Sequence, residues 1–516
     1  MATTEVLGKK TEEAKAKVRS SKKSKVDWLK LIVTIAVGAI IWFIPMPSNL
    51  VDFCSNVKGF EDIPAETIAI HGWHLFAIFV ATIVGLIIKP IPMGSMCILQ
   101  LTIIMGSMTL DNGTSTGYIT NALSGFHNTT IWLIVIAFFI SRGFIKTGLG
   151  SRIAYLFMSK FGKKTLGLTY SLIFTDLVLS TAMPSNTARA GGVIFPIVQS
   201  LSNVFGSKPN DGTAHKIGSY LHVTAFQADM ITSGMFLTAM AANPLSASLA
   251  LSLAGVEIGW VEWAIAAFVP SIVCLIVIPI VIYFIYPPEI KSTPEATELA
   301  KAKLKEMGSI TKDEILMIFV FIVILALWIA GNSIGLNATV TAFIGLSLLI
   351  LTNVLTWDDV KNEKGAWDTL VWFSVLVMMA TYLNTLGLIP WFSSMMAGAV
   401  GGMPWLAALI ILAVVYFFSH YLFASATAHV SAMYSAFLAV CVAAGAPAMA
   451  SAMLLGILSN AMGCLTHYGS GPAPVFFGAE YVTQGKWWTI GIVCAIVTLV
   501  IFFTVGFAWW GVIGYM

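Results

Sequence analysis

Two short polar stretches within apolar sequence carry the residue types best suited to binding an anion. The first is Ser185-Asn186-Thr187, with Arg189 two residues further on, and the second is Ser425-Ala426-Thr427, with His429 two residues further on. Positions 185 and 425 are 240 residues apart, and the remaining equivalent positions of the two stretches have the same offset. This repetition predicts an internal duplication with one polar stretch in each half.

A helix that begins at such a stretch can bind an anion without any Lys or Arg. Its first backbone N–H groups lack intrahelical partners, and the positive end of its dipole lies at the same place. Thr187 and Thr427 add hydroxyl donors, and Asn186 adds an amide. We therefore predict that each stretch binds one carboxylate of a small dicarboxylate. The alternative is that both stretches are ordinary helix caps and kinks.

Arg189 and His429 are the charged or titratable side chains of the two stretches. A charge within the bilayer is costly and usually functional. Two residues along a helix correspond to a rotation of about 200°, so Arg189 should point away from Thr187, and the same holds in the second stretch. One hypothesis is that both side chains are fixed positive charges behind a substrate site. The alternative for Arg189 is a structural ion pair with Asp229, and Asp176 is the other nearby acidic candidate.

Two further interruptions, at 238–244 and 467–474, fall within otherwise apolar segments. A proline in mid-helix interrupts the hydrogen-bond ladder, and such a break is tolerated at membrane depth only inside protein or beside a water-filled cavity. The breaks would supply amides and carbonyls to the same ligand. His467 in the second break is a further candidate, whereas His420 is expected to be a packing residue. The predicted binding residues of the breaks are Ala242, Asn243, Pro244, Ser470, Gly471 and Pro472.

The composition indicates an all-α polytopic membrane protein. The 516 residues are 58% hydrophobic and 10% charged, with a mean hydropathy of +0.87, whereas soluble domains carry about 25% charged residues. The apolar runs are continuous rather than alternating, which favours spanning helices over a membrane barrel. A net charge of +3 gives no indication of nucleic-acid binding, and the six scattered cysteines are expected to be packing residues. Five tryptophans near predicted span ends are expected to be interfacial anchors: Trp28, Trp42, Trp73, Trp487 and Trp488.

From the first to the last residue, we predict two structural repeats with the same order of helices. Residues 142–164 contain Lys and Arg but no acidic residue, so the positive-inside rule places them in the cytoplasm. Counting crossings from there opens one hairpin to each side, so the halves are inverted, as is typical of secondary transporters. The first half comprises a basic cytoplasmic tail (1–28), N-terminal scaffold helices (29–128) and the rest of the first repeat (129–286). That last segment contains a re-entrant hairpin at 166–204, a broken helix at 217–256 and a sixth span. After a cytoplasmic connector (287–313), the second half comprises second-repeat helices (314–388), a segment (389–483) with an outside-facing hairpin at 404–445 and a broken helix at 447–483, and a last span (487–516).

At three motifs the sequence resembles the divalent anion/sodium symporter family of di- and tricarboxylate transporters. They are Pro184-Ser185-Asn186-Thr187-Ala188-Arg189, Lys89-Pro90-Ile91-Pro92-Met93-Gly94 and Met240-Ala241-Ala242-Asn243-Pro244. The resemblance covers everything after the N-terminal tail and is strongest to the exchanger branch, which includes citrate/succinate antiporters and 2-oxoglutarate/malate translocators. It implies about eleven transmembrane helices, two re-entrant hairpins, broken fifth and tenth helices, a homodimer and an elevator-type motion. It also implies that substrate carboxylates bind at Ser185, Asn186, Thr187, Ser425 and Thr427.

The sequence departs from the sodium-coupled members of that family. Ala426 stands where they have Asn, which removes an oxygen from the implied sodium site, and neither break resembles their Thr-Pro-Pro-Asn. Arg189 and His429 would instead supply fixed positive charge, and a buried charge without its anion is costly. We therefore predict sodium-independent antiport of dicarboxylates such as 2-oxoglutarate, malate, succinate and fumarate. The alternative is a sodium-coupled di/tricarboxylate symporter.

Other classes of function find less support in the sequence. An intramembrane enzyme using His467 or His429 as a base would need a nucleophile or metal set, and we find no such motif, so neither catalysis nor a cofactor is predicted. A channel is disfavoured because paired hairpins indicate an occluding site. The predicted partners are dicarboxylate anions, the lipid bilayer and a second copy of the chain. Since residues 1–30 do not resemble a transit peptide, we expect a bacterial cytoplasmic membrane with the N-terminus in the cytoplasm.

Overall fold

The computed structural model describes residues 26–55, 57–400 and 402–516, so nearly all of the predicted basic tail lies outside the described residues. The described chain is helical, and no strand occurs within it. The first half contains α1 (Trp28–Phe43), α2 (Ala65–Ile88), α3 (Met93–Gly106), α4 (Gly117–Ala122), α5 (Thr129–Thr147), α6 (Leu149–Phe161), α7 (Thr165–Ser180), α8 (Phe195–Val204), α9 (Gly218–Met235), α10 (Ala242–Ala254) and α11 (Trp260–Ile285). A wide π-helical stretch, Thr187–Ile194, runs directly into α8.

The second half follows a connector that contains α12 (Pro294–Met307), which packs against α6. Its helices are α13 (Lys312–Ile334), α14 (Ala338–Leu351), α15 (Trp357–Asn362), α16 (Lys364–Thr385), α17 (Leu388–Val400), α18 (Trp405–Phe418), α19 (Ala426–His429), α20 (Ser435–Ala443), α21 (Ala448–Ala461), α22 (Ala473–Phe477), α23 (Gln484–Ile501) and α24 (Phe507–Val512). Short π-helical stretches, Val430–Tyr434 and Phe502–Gly506, join α19 to α20 and α23 to α24.

Nine stretches of the described chain are long and apolar enough to cross a membrane. Four shorter apolar helices, α1, α3, α7 and α14, accompany them. The chain is therefore an integral membrane protein, while the predicted number of eleven spans stays a prediction. The nine stretches are Ala65–Ile88, Thr129–Thr147, Trp260–Ile285, Lys312–Gly331, Lys364–Thr385, Trp405–Leu422, Ala426–Ala443, Ala448–Leu465 and Gln484–Val512.

Two interrupted helices lie at the centre of the fold. Every residue of α9 is buried, and α9 packs against α7, α8, α11 and α21. The chain becomes extended at Phe236 and resumes as α10 at Ala242, so the first break spans 236–241. Pro244 lies in the first turn of α10, where a missing N–H costs nothing because that group has no intrahelical partner. The break therefore comes before the Asn-Pro pair instead of at it.

The second interruption follows α21, which ends in a 3₁₀ turn, Met462–Leu465. Thr466 is extended, and the chain resumes only as the five-residue α22. Around these central helices the outer ones expose apolar side chains, as lipid contact requires, and Leu29, Phe43 and Phe284 are examples.

Two smaller expectations are tested by burial. All six cysteines are buried and free, in agreement with a packing role. Trp487 is fully buried, with its ring centroid 4.8 Å from that of Phe226, so the expectation that it is an interfacial anchor is wrong. Trp28, by contrast, is 68% exposed.

A candidate anion-binding site between two helix tips and two helix breaks

The two polar stretches form equivalent helix caps, which we name the first tip (185–187) and the second tip (425–427). Ser185 Oγ accepts a hydrogen bond from the backbone N–H of Ala188 at 3.2 Å, and Ser425 Oγ accepts one from that of Ala428 at 3.4 Å. The offset of 240 residues thus relates both caps and both capped amides. The serines are N-caps, as the structural alternative held, and each hydroxyl hydrogen remains available to a ligand.

The threonines of the tips have free hydroxyl groups. Among the described residues, neither Thr187 nor Thr427 makes a side-chain hydrogen bond with protein. Thr187 is exposed, whereas Thr427 is only 8% exposed. Asn186 is buried, and its amide nitrogen makes a weak contact with Met240 Sδ at 3.8 Å. The counterpart of Asn186, Ala426, contributes no polar group.

The first tip faces the second break. A Cβ added to Gly471 would lie 1.9 Å from Thr187 Oγ1, so the backbone of Gly471 is packed directly on that hydroxyl. Gly471 and Thr187 are both exposed, while Ser470 and Pro472 are buried. The hydroxyl of Ser470 has no hydrogen-bond partner within the described chain. Thr187 and the Ser470-Gly471-Pro472 backbone therefore border the same accessible space.

The second tip reaches the same break through two histidines. His429 Nδ1 lies 3.0 Å from His420 Nδ1, and His420 Nε2 lies 2.7 Å from the carbonyl oxygen of Gly469. Both imidazoles are fully buried. His420 is thus a buried histidine with both ring nitrogens satisfied, as expected, and it also joins the second tip to the second break. The second tip also packs against α10, on the far side of the first break.

The buried side chain of Asn243 satisfies backbone carbonyl groups at the first break. Its Nδ2 donates to the carbonyl oxygens of Ser233 and Phe236, both at 2.8 Å, which are carbonyls that the break leaves without helical partners. Its Oδ1 accepts from Asn460 Nδ2 on α21 at 2.6 Å. Asn243 is fully buried, as are its neighbours Ala242 and Pro244. Contact of these three residues with a ligand stays a prediction, and the amide donors of Asn243 are already bonded to protein.

Arg189 is fully buried, whereas Thr187 is exposed, so the two side chains lie in different surroundings. Its ion pairs join Nε to Asp176 at 2.7 Å and Nη2 to Asp229 at 2.9 Å. The remaining partners are Ser233 Oγ, Thr232 Oγ1 and the carbonyl oxygens of Met183 and Ala239. The structural alternative, a pair with Asp229, is therefore present, with Asp176 in addition. The hypothesis of a fixed positive charge behind a substrate site stays a prediction, and the two carboxylates argue against a free cation at Arg189.

His467 and the rest of the described chain offer little other chemistry. His467 Nδ1 accepts a hydrogen bond from Trp488 Nε1 at 3.1 Å, and its ring packs on Phe477, so it serves the packing of the second break. No group of three or more His, Cys, Asp or Glu side chains that could hold a metal ion occurs among the described residues.

Asn460 was missed at the sequence level. Its one signal is an amide side chain in the middle of an apolar helix.

Comparisons with known proteins point to one family and one fold. The family model described as sodium:sulfate symporter transmembrane region matches residues 25–516. The chain is 58% identical over 497 residues to the "Putative malate transporter YflS" of Bacillus subtilis, covering 96% of this chain and 98% of that one. It is 47% identical over 486 residues to chloroplastic dicarboxylate transporter 1 of Spinacia oleracea, covering 94% of this chain and 81% of that one. The crystal structure of the Alcanivorax borkumensis YdaH transporter has a similar fold, with a TM-score of 0.55 at 13% identity over 85% of this chain and 98% of that chain.

Proposed function

This chain belongs to the divalent anion/sodium symporter family, and we propose that it exchanges small dicarboxylates across a bacterial cytoplasmic membrane by sodium-independent antiport. It is a membrane transporter and not an enzyme. The proposed substrates are 2-oxoglutarate, malate, succinate and fumarate. The alternative is sodium-coupled symport of the same class of anions.

The observation that carries the proposal is the pair of free threonine hydroxyls at equivalent positions of two capped helix starts. Each tip offers a hydroxyl donor beside the positive end of a helix dipole, which favours a carboxylate. Two such tips suit a ligand with two carboxylates. The relatives named as malate and dicarboxylate transporters support the same substrate class.

Antiport is supported by charge balance. A dianion that crosses alone against a membrane potential costs about 2.3 kcal/mol per charge per 100 mV, whereas exchange of one dianion for another moves no net charge. Ala426 leaves the second tip without the amide oxygen that would help to hold a sodium ion. A fixed buried cation would make return of the empty carrier costly, which would also favour exchange. Asp176 and Asp229 adjoin Arg189, so this argument does not apply to that side chain.

The moving unit and the oligomeric state are also proposed, from the resemblance to the family. We propose that the first hairpin (166–204) and the second (404–445), together with the two broken helices, move as one unit of an elevator. The scaffold helices at 29–128 and 314–388 would form the homodimer. The strongly exposed apolar side chains of α1, such as Leu29 and Phe43, suit either a second copy or lipid. The inverted repeat and a cytoplasmic N-terminus also remain proposals.

Proteoliposomes test the exchange directly. We expect rapid uptake of labelled malate into vesicles preloaded with unlabelled dicarboxylate, little uptake into empty vesicles, and the same rate with potassium in place of sodium. Uptake into empty vesicles that rises steeply with sodium would establish the symport alternative. Equal uptake with and without internal dicarboxylate, in the absence of sodium, would contradict antiport.

A further inference from the structure

A chain of hydrogen-bonding groups runs through the second hairpin, just behind the second tip. Ser419 Oγ lies 3.1 Å from His429 Nε2, and His429 Nδ1 lies 3.0 Å from His420 Nδ1. His420 Nε2 ends the chain at the carbonyl oxygen of Gly469, 2.7 Å away. The three polar side chains lie within eleven residues of sequence, whereas the carbonyl group that ends this series of hydrogen bonds belongs to the second break.

The carbonyl at the end of this chain determines which atoms carry hydrogen when both imidazoles are neutral. A carbonyl only accepts, so His420 Nε2 carries a hydrogen and His420 Nδ1 is an acceptor. His429 Nδ1 must then donate to it, which leaves His429 Nε2 as an acceptor of the Ser419 hydroxyl. In this state every group in the chain has a partner.

The same hydrogen-bonding groups can also satisfy His429 when it carries one additional proton. His429 Nε2–H then donates to Ser419 Oγ, and the serine hydroxyl rotates to donate to the carbonyl oxygen of Tyr416, which lies 2.8 Å away. The two protonation states therefore differ by the rotation of one hydroxyl group and leave no buried polar group unpaired. The cost that remains is the desolvation of the added charge.

The surroundings of His429 supply no fixed counter-charge. The titratable groups that face it are His420 and Tyr416, whose ring centroids lie 5.2 Å and 4.5 Å from its own, and Phe423 stacks on it at 4.5 Å. Among the described residues it has no ion pair with a carboxylate. A proton there is thus stabilised only when an anion arrives nearby, and His429 lies one helical turn from the capping Ser425.

We propose that His429 binds one proton together with each dicarboxylate and releases it when the site empties. This rests on the proposed function, because the bound dianion provides the opposing charge. Linkage is reciprocal, so substrate binding must raise proton affinity as much as the proton raises substrate affinity. If a proton accompanies the dianion in both directions, exchange still moves no net charge. His429 is then charged only while the substrate is bound, whereas Arg189 is permanently charged and paired with two carboxylates.

Calorimetry of fumarate binding to the purified full-length protein tests this proposal. Fumarate is used because its carboxyl groups are already ionised near pH 7.5, so any proton taken up binds to the protein. The binding enthalpy is measured in Hepes and in Tris, whose ionisation enthalpies differ. We expect uptake of up to one proton per fumarate, decreasing as the pH rises. His429→Gln should abolish the uptake, and Ser419→Ala should move it to lower pH. His222→Gln, a buried histidine bonded to Gly218 elsewhere on α9, should leave it unchanged.

The outcomes separate this proposal from the proposed function. Fumarate binding with no dependence on the buffer would overturn the proton site and leave dicarboxylate exchange standing. Undiminished uptake in folded His429→Gln protein would also overturn it. If that variant fails to fold, the wild-type buffer dependence and the Ser419→Ala shift decide instead. Absence of both fumarate binding and counterflow would overturn the proposed function, and the proton site with it.

Discussion

Gly471 and Thr187 come from opposite halves of the chain, and a Cβ on Gly471 would lie 1.9 Å from Thr187 Oγ1. The next atoms it would meet, Thr187 Cβ and Cγ2, are 3.2 Å and 3.6 Å away. Only a residue without a side chain permits this approach. The free hydroxyl of the first tip is therefore held against the backbone of the second break, and the space around it is sensitive to a single methyl group.

Gly471→Ala should displace the Thr187 hydroxyl and weaken substrate binding. The added methyl group cannot share the position of Oγ1, so either the threonine rotates or the break shifts. We expect a large increase in KM for labelled malate counterflow, with little change in the unfolding temperature because both residues are exposed. Gly485→Ala is the matched control, since a Cβ there meets nothing within 4 Å. Unchanged transport kinetics in Gly471→Ala would contradict the contact.

Loss of either free tip hydroxyl should weaken dicarboxylate binding without unfolding the protein. Thr187→Val and Thr427→Val keep the branched shape but remove a hydrogen bond to a charged carboxylate, worth about 1–3 kcal/mol, or about 5- to 150-fold in KM. Thr→Ser at either position should retain most of the affinity. Thr489→Val, at an exposed helical site, is the control. If both valine variants transport with wild-type KM, the tips do not bind the substrate.

The sequence predicted the tips well because their signals are local. A capping Ser and a following apolar run mark a helix start, and the structure begins the two helices at Thr187 and Ala426. The boundaries were less accurate where polar residues lie inside a helix. The first break was expected at 238–244, whereas it spans 236–241, because Asn243 and Pro244 already lie inside α10.

The partners of the buried polar side chains could not be predicted, because they depend on long-range packing. Asn460 bonds to Asn243 across 217 residues of sequence. The two carboxylates beside Arg189 were identified as candidates, but a single sequence does not show that both bind it. Helix α17 was missed as well, since its 13 residues are fewer than the about 20 that a spanning helix needs.

Removal of the Asn460 amide should destabilise the junction of the two broken helices. Asn460→Ala leaves Asn243 Oδ1 buried without a donor, at a cost of about 1–3 kcal/mol in the free energy of unfolding. We expect a lower unfolding temperature by intrinsic tryptophan fluorescence, and slower counterflow because the first break is less well ordered. Asn362→Ala, which removes an exposed amide that bonds to Asp358, should change neither. Equal stability of the two variants would show that the Asn243–Asn460 bond contributes nothing.

Arg189→Met should fail through loss of stability and not through loss of a substrate contact. It leaves Asp176 and Asp229 buried without their cation, and breaking a buried ion pair in this way costs about 3–5 kcal/mol. Adding Asp176→Asn and Asp229→Asn to Arg189→Met neutralises the cluster, so the triple variant should regain much of the lost unfolding temperature. Lys301→Met, which breaks the exposed pair with Glu298, is the control and should have little effect. A stable Arg189→Met protein that binds no dicarboxylate would instead support a fixed cation facing the substrate, because a purely structural cluster predicts unfolding before any selective loss of binding.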